Sequence, residues 1–118
     1  MELKISSQSH ADYAVVTVRG EIDLYTAPHL HSKLVDAVND GSRRLLVDMS
    51  RVEFCDSTGM NVLLSVMKHA REKEGALELV APCPAVMKVL EVTGLDAVFT
   101  IHPTTDVIAA AAGTAASQ

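Results

Sequence analysis

The sequence predicts one α/β domain: a mixed β-sheet of four to five strands that opens with an antiparallel hairpin and carries about four helices. Three observations predict it. Short β-branched runs alternate along the chain with stretches whose apolar residues recur every three or four positions. No linker or internal repeat divides the 118 residues, a length that suits one hydrophobic core. The apolar fraction of 48% with 21% charged residues is that of an ordinary globular chain, not a disordered one. With no Trp, two Tyr and two Phe, the core has to be aliphatic, which suits helices packed closely on a sheet.

Leu3-Lys4-Ile5-Ser6-Ser7-Gln8 alternates apolar and polar side chains, and Tyr13 to Gly20 is dense in β-branched residues, so two strands joined by a polar turn at Ser9 to Asp12 form the hairpin. Ala27, Leu30, Leu34, Val35 and Val38 then share one face of a helix that runs to about Asn39 and is ended by Gly41. Leu45 to Met49 is nearly continuously apolar, as a central strand covered on both faces should be. A second helix is expected from Ser57, with Met60, Leu63, Leu64, Met67 and Ala70 as its buried stripe; Val62 and Val66 widen the apolar arc, either as core or as docking surface. Leu77 to Val80 gives another strand. Pro84 opens a helix containing Val86, Val89, Leu90 and Val92, and Gly94 closes it. Val98 to Ile101 reads as a last short strand or extended piece, followed beyond Pro103 by a helix that frays into an Ala-rich end. The domain is therefore assigned to residues 1–112 and a flexible tail to 113–118.

Several functions are excluded or disfavoured by the same residues. A formal charge of −5 and a scarcity of aromatics argue against nucleic acid and anionic membranes. No apolar run approaches the ~20 residues of a membrane span, and the first residues read as a strand, so a cytoplasmic location is expected. Phosphate-binding loops of the G-x-G-x-x-G or G-x-x-x-x-G-K-[ST] type are absent, as is a G-x-S-x-G nucleophile elbow. His29 and His31 are two apart on a helix, so their rings diverge, and no H-E-x-x-H occurs; Cys55 and Cys83 lack metal-type spacing and read as reduced thiols in or near the core.

The segment from Val52 to Met60 stands out. Apolar Phe54 and Cys55 lead straight into Asp56-Ser57-Thr58-Gly59, without a proline or flexible spacer, in what reads as a strand-to-helix loop. Capping of the helix by Asp56 or Ser57 accounts for one polar residue. It accounts less well for three followed by Gly59. Small side chains leave the helix end open, and the unpaired amides and dipole there favour an anion, so a phosphate on Ser57 or Thr58 would find partners.

Asp56-Ser57-Thr58-Gly59, preceded by Phe54 and followed by an apolar helix, resembles the Asp-Ser-Ser/Thr-Gly signature of STAS-domain anti-sigma factor antagonists, with Ser57 in the place of the phosphorylated serine. Gly20-Glu21-Ile22-Asp23 with Thr26, Ala27 and Leu30 resembles the family's second-strand exit, and Val86, Leu90, Gly94 and Leu95 resemble its late helix and turn. The resemblance spans about residues 3 to 110. Thr58 and Met60 depart from the more common Ser and Leu, and Gly75-Ala76 from a frequent Gly-Gly. The resemblance implies a single STAS-type domain that is not an enzyme and uses no cofactor or metal. It implies that the unphosphorylated protein binds an anti-sigma factor, itself a serine kinase that carries the ATP, and so releases a sigma factor. Phosphorylation of Ser57, with Thr58 as the secondary acceptor, would switch the protein off, and a serine phosphatase would reset it. Glu21, Asp23, Thr26, Asp56, Thr58, Gly59 and Asn61 are the implied partner-binding residues, with Asp23 and Asp56 either placing carboxylates at the docking face or serving in capping and turn formation. The alternative is a non-phosphorylated STAS adaptor subunit of a lipid-transport or stress-signalling complex.

Overall fold

The protein is described by a computed structural model over residues 3–116. Strands β1 (Leu3–Ser9) and β2 (Tyr13–Ile22) form the antiparallel hairpin, and α1 (Ala27–Asn39), β3 (Arg44–Cys55), α2 (Ser57–Glu72), β4 (Ala76–Val80), α3 (Pro84–Val92), a 3-10 turn (Leu95–Ala97), β5 (Thr100–His102) and α4 (Asp106–Ala116) follow. The spatial order β1-β2-β3-β4-β5 equals the order in sequence, and β2 to β5 are parallel. Because every crossover then steps the same way with the same hand, α1, α2 and α3 come to lie on one face of the sheet. That face holds the main core, with Leu30, Leu34, Leu63 and Leu90 packed on Val16, Val18, Val47 and Leu79. On the opposite face α4 lays Val107, Ile108 and Ala111 over a smaller cluster of Tyr13, Val15, Leu46 and Val80. Beside that cluster Glu78 accepts two bonds from Arg44, at 2.8 and 2.9 Å, and a third contact from His102, tying β3, β4 and β5 together.

The structure corrects the sequence reading in three places. The strand expected at Leu45 to Met49 runs on to Cys55, so Val52 to Cys55 is sheet and not loop. Its register against β2 shifts between Thr17 and Arg19 and again between Gly20 and Glu21, and the buried residues Val47, Met49, Val52 and Cys55 therefore lose strict alternation. In α2 Val66 is core while Leu64 is only partly buried. Residues 95–97 form a 3-10 turn and Phe99, not Val98, enters the core, which shortens the last strand to three residues. The last helix, α4, is assigned through Ala116, and residues 117–118 of the expected tail lie outside the described residues. Gly41 and Gly94 follow α1 and α3 with φ of 92° and 76°, the left-handed conformation that glycine adopts without strain.

Candidate functional site

The ends of β2 and β3 lie side by side: Glu21 pairs with Phe54 and Ile22 with Cys55. The Asp56 amide then donates to the Ile22 carbonyl at 3.1 Å, carrying the ladder one step past the strand. At this point the two chains part. One turns through residues 23–26 into α1 and the other enters α2.

Asp56 is the N-cap of α2, with extended backbone (φ −87°, ψ −175°), and its Oδ1 accepts from the Gly59 amide at 3.0 Å. This satisfies one of the amides that a helix start leaves without an internal partner. Ser57, the first helical residue, is exposed, and Thr58 is half-buried. No acidic residue occupies the first turn, so the positive end of the helix dipole faces outward with only the Asp56 cap opposing it. Gly59 is buried: a Cβ there would come within 2.5 Å of Ile22 Cγ2 and 2.6 Å of Cys55 Sγ. Only glycine lets the first turn sit this close to the ends of β2 and β3.

The neighbouring turn is built around Asp23 and Thr26. Asp23 Oδ1 accepts from the amides of Tyr25 and Thr26, at 2.9 and 3.0 Å. The Thr26 hydroxyl donates to the Glu21 carbonyl at 2.8 Å and accepts from the Asp23 amide at 2.9 Å. The Thr26 amide is the foremost influence holding the Asp23 carboxyl below its ordinary value; slight desolvation opposes it, and the Tyr25 amide and Thr26 hydroxyl assist. Cys55, under the helix start, has its thiol pushed up to about 12, first by burial and second by the Asp56 carboxylate. It is inert at neutral pH.

Of the residues expected to face a partner, the structure brings Glu21, Asp23, Thr26, Asp56, Thr58 and Gly59 together around Ser57. Their tasks differ from the expectation in two cases. Thr26 and Gly59 are buried and build the site from beneath, because one must satisfy backbone groups at the β2 exit and the other must admit close packing. Asp23 and Asp56 both spend Oδ1 on backbone amides, as cap and turn residues do. Asn61 is exposed one turn along α2. Sequence reasoning missed Leu24 and Tyr25, which stand 63% and 88% exposed at the tip of the Asp23 turn. The available signal was their type: large apolar residues inside a four-residue turn have no core to enter. With Phe54, 49% exposed on the adjoining strand end, they give this rim an apolar character. Among the described residues no group of His, Cys, Asp and Glu is placed to hold a metal ion, and no helix is long and apolar enough to cross a membrane.

The STAS domain family model matches residues 4–108. An anti-sigma-B factor antagonist of Staphylococcus epidermidis is 28% identical over 107 residues, covering 91% of this chain and 99% of that protein. The crystal structure of an anti-sigma factor antagonist from Mycobacterium paratuberculosis superposes with a TM-score of 0.82 at 34% identity, covering 93% of each chain. The anti-sigma factor antagonist SpoIIAA, solved in its unphosphorylated form, has the same fold, with a TM-score of 0.76 at 21% identity over 95% of this chain and 97% of that one.

Proposed function

The chain belongs to the STAS-domain family of anti-sigma factor antagonists, and from that membership we propose that it docks an anti-sigma factor through the rim around Ser57 and is released when Ser57 is phosphorylated. The family acts by binding, without catalysis. The observation that carries the proposal is the position of the Ser57 hydroxyl. It is exposed at the first residue of α2, while the flanking capping and packing tasks fall to Asp56 and Gly59. A group that can be modified without unfolding anything is what a switch needs.

Phosphorylation adds about −1.5 to −2 charges and strong acceptor oxygens. Here it places them beside Asp56 and near Asp23 and Glu21, in a chain already at −5. The start of α2 shelters the new anion, so the domain keeps its fold. A partner adapted to the apolar rim of Leu24, Tyr25 and Phe54 meets instead a hydrated dianion. A loss of ~3 kcal/mol in binding suffices for more than a hundredfold change in affinity. In this reading the partner is a serine kinase that brings its own ATP, a serine phosphatase restores the binding form, the sigma factor is freed while the complex lasts, and all of this takes place in the cytoplasm. Thr58, half-buried, is the poorer acceptor.

Incubation with ATP and the cognate kinase followed by phosphopeptide mapping tests the proposal. One phosphate on Ser57, with loss of kinase binding, is expected. Phosphate elsewhere, with Ser57→Ala still fully modified, overturns it, and no phosphate at all returns the protein to the adaptor class.

A further inference from the structure

The sheet face opposite α1 to α3 is only half covered. α4 lies over Tyr13, Val15, Leu46 and Val80, and beyond it the same face of β1, β2 and β3 is open as a shallow trough of about 520 Å³. Lys4, Arg19 and Arg51 line it in a row. Lys4 pairs with Arg19 across the antiparallel ladder, and Arg19 with Arg51 across the parallel one. The register shift in β3 next to Thr17 and Arg19 is what brings Arg51, instead of Ser50, opposite Arg19. Like charges at directly paired positions oppose folding. Among the described residues no carboxylate lies within ion-pair distance of any of the three. Among the described residues the one acid lining the trough is Asp48, whose carboxylate accepts from the Ser50 amide. Elsewhere on the same face the chain does pair its cation, since Arg44 is held in two bonds by Glu78.

We infer that this row is a docking surface for an extended, acidic segment of a protein partner. Charge complementarity favours such an occupant: the row concentrates three cations in a chain whose net charge is −5. Geometry separates it from a small anion. Three side chains on adjacent strands span about 10 Å, at the usual ~4.8 Å strand spacing. The backbone amides beneath belong to the sheet ladder, so no nest of free N–H groups converges on one phosphate. Carboxylates spaced along an extended segment crossing the strands meet the row one by one. A long polyphosphate backbone or an anionic bilayer would reach past the trough onto a domain whose net charge is −5, a repulsion that a segment no longer than the row does not meet. The inference is independent of the Ser57 reading, and Ser57→Ala leaves it untouched.

The test uses the full chain and a fluorescently labelled four-residue polyglutamate peptide, about as long as the row when extended, followed by anisotropy. Binding at ~20 mM salt that weakens at ~200 mM is expected. Arg19→Ala/Arg51→Ala should weaken it ~10-fold or more, while Lys88→Ala, on exposed α3 surface, should not. The double variant should also melt no lower than the parent, because like-charge repulsion has been removed. Absence of peptide binding, equal binding by the double variant, or a melting temperature lowered by its substitutions overturns the inference. So does capture of pyrophosphate, an oligonucleotide or phosphatidylserine vesicles in preference to the peptide.

Discussion

Gly59 rests against Ile22 so closely that a single added methyl would lie 2.5 Å from Ile22 Cγ2. This contact locks the start of α2 to the end of β2, and through it the Ser57 hydroxyl to the Asp23 turn. Gly59→Ala would ordinarily stabilise a helix interior by up to ~1 kcal/mol. Here the fully buried, β-branched Ile22 cannot move aside without disturbing the core. The expected outcome is a net loss of ~1–3 kcal/mol in urea unfolding. Unchanged or increased stability would show that the close approach is not real.

Asp56 and Ser57 are adjacent yet should respond in opposite ways. Asp56→Ala removes the bond to the Gly59 amide and should lower stability by ~1 kcal/mol. Ser57→Ala should change stability by less than ~0.5 kcal/mol while abolishing phosphate incorporation. Ser57→Asp should bind the anti-sigma partner weakly and remain folded. Denaturant titration together with kinase labelling of the same three variants checks the separation.

Thr26→Val keeps the shape of the side chain but leaves the Glu21 carbonyl and Asp23 amide unpaired. A loss of ~1–3 kcal/mol is expected. The linked carboxyl of Asp23 titrates lower in the fold than its ordinary 3.8. Its contribution is therefore present above that pH and lost as the pH falls through the depressed value. Acid unfolding of Asp23→Asn should lack that component, which pH titration of the two melting curves would reveal.

The exposed rim makes a prediction about binding without stability. Tyr25→Ser and Phe54→Ser should each reduce affinity for the anti-sigma partner by ~10-fold or more, as central aromatic contacts do. Their melting temperatures should stay near that of the parent, because neither ring is buried in the free protein. Calorimetric titration against the partner distinguishes this from an inert rim.

The Cys55 thiol, pushed up to about 12 by burial and by Asp56, should resist iodoacetamide at pH 8 in the folded protein and react on unfolding. The sign in alkali follows: the unfolded thiol ionises from about 9 upward while the folded one does not, so stability is full below that pH and falls as pH rises toward 12. Cys55→Ser should flatten this alkaline limb. Labelling of Cys55 in the native state would contradict its burial.

The elements and the helix start that carries Ser57 could be read from local residues. The hairpin, α1, the start of α2 at Ser57 and the strand-helix order each rest on a periodicity or cap that lies within a short window of chain. What escaped was whatever depended on a distant partner. β3 extends to Cys55 because β2 continues beside it to Ile22, and no pattern inside Val52 to Cys55 announces that neighbour. Val66 proved to be core and Leu64 only partly buried because the packing of α1 and the sheet, not the helix alone, chose which face of α2 to bury.

Sequence alone thus determined the alternating helices and strands, an aliphatic core and a small-residue helix start bearing Ser57, since propensity, patterning and capping act between near neighbours. Only the tertiary structure decided how labour is divided at that site. Whether Asp23, Thr26, Asp56 and Gly59 point outward or hold the backbone together depends on β2 and β3 ending side by side. That juxtaposition is set by sheet register, where bulges and burial are settled between segments far apart in the chain.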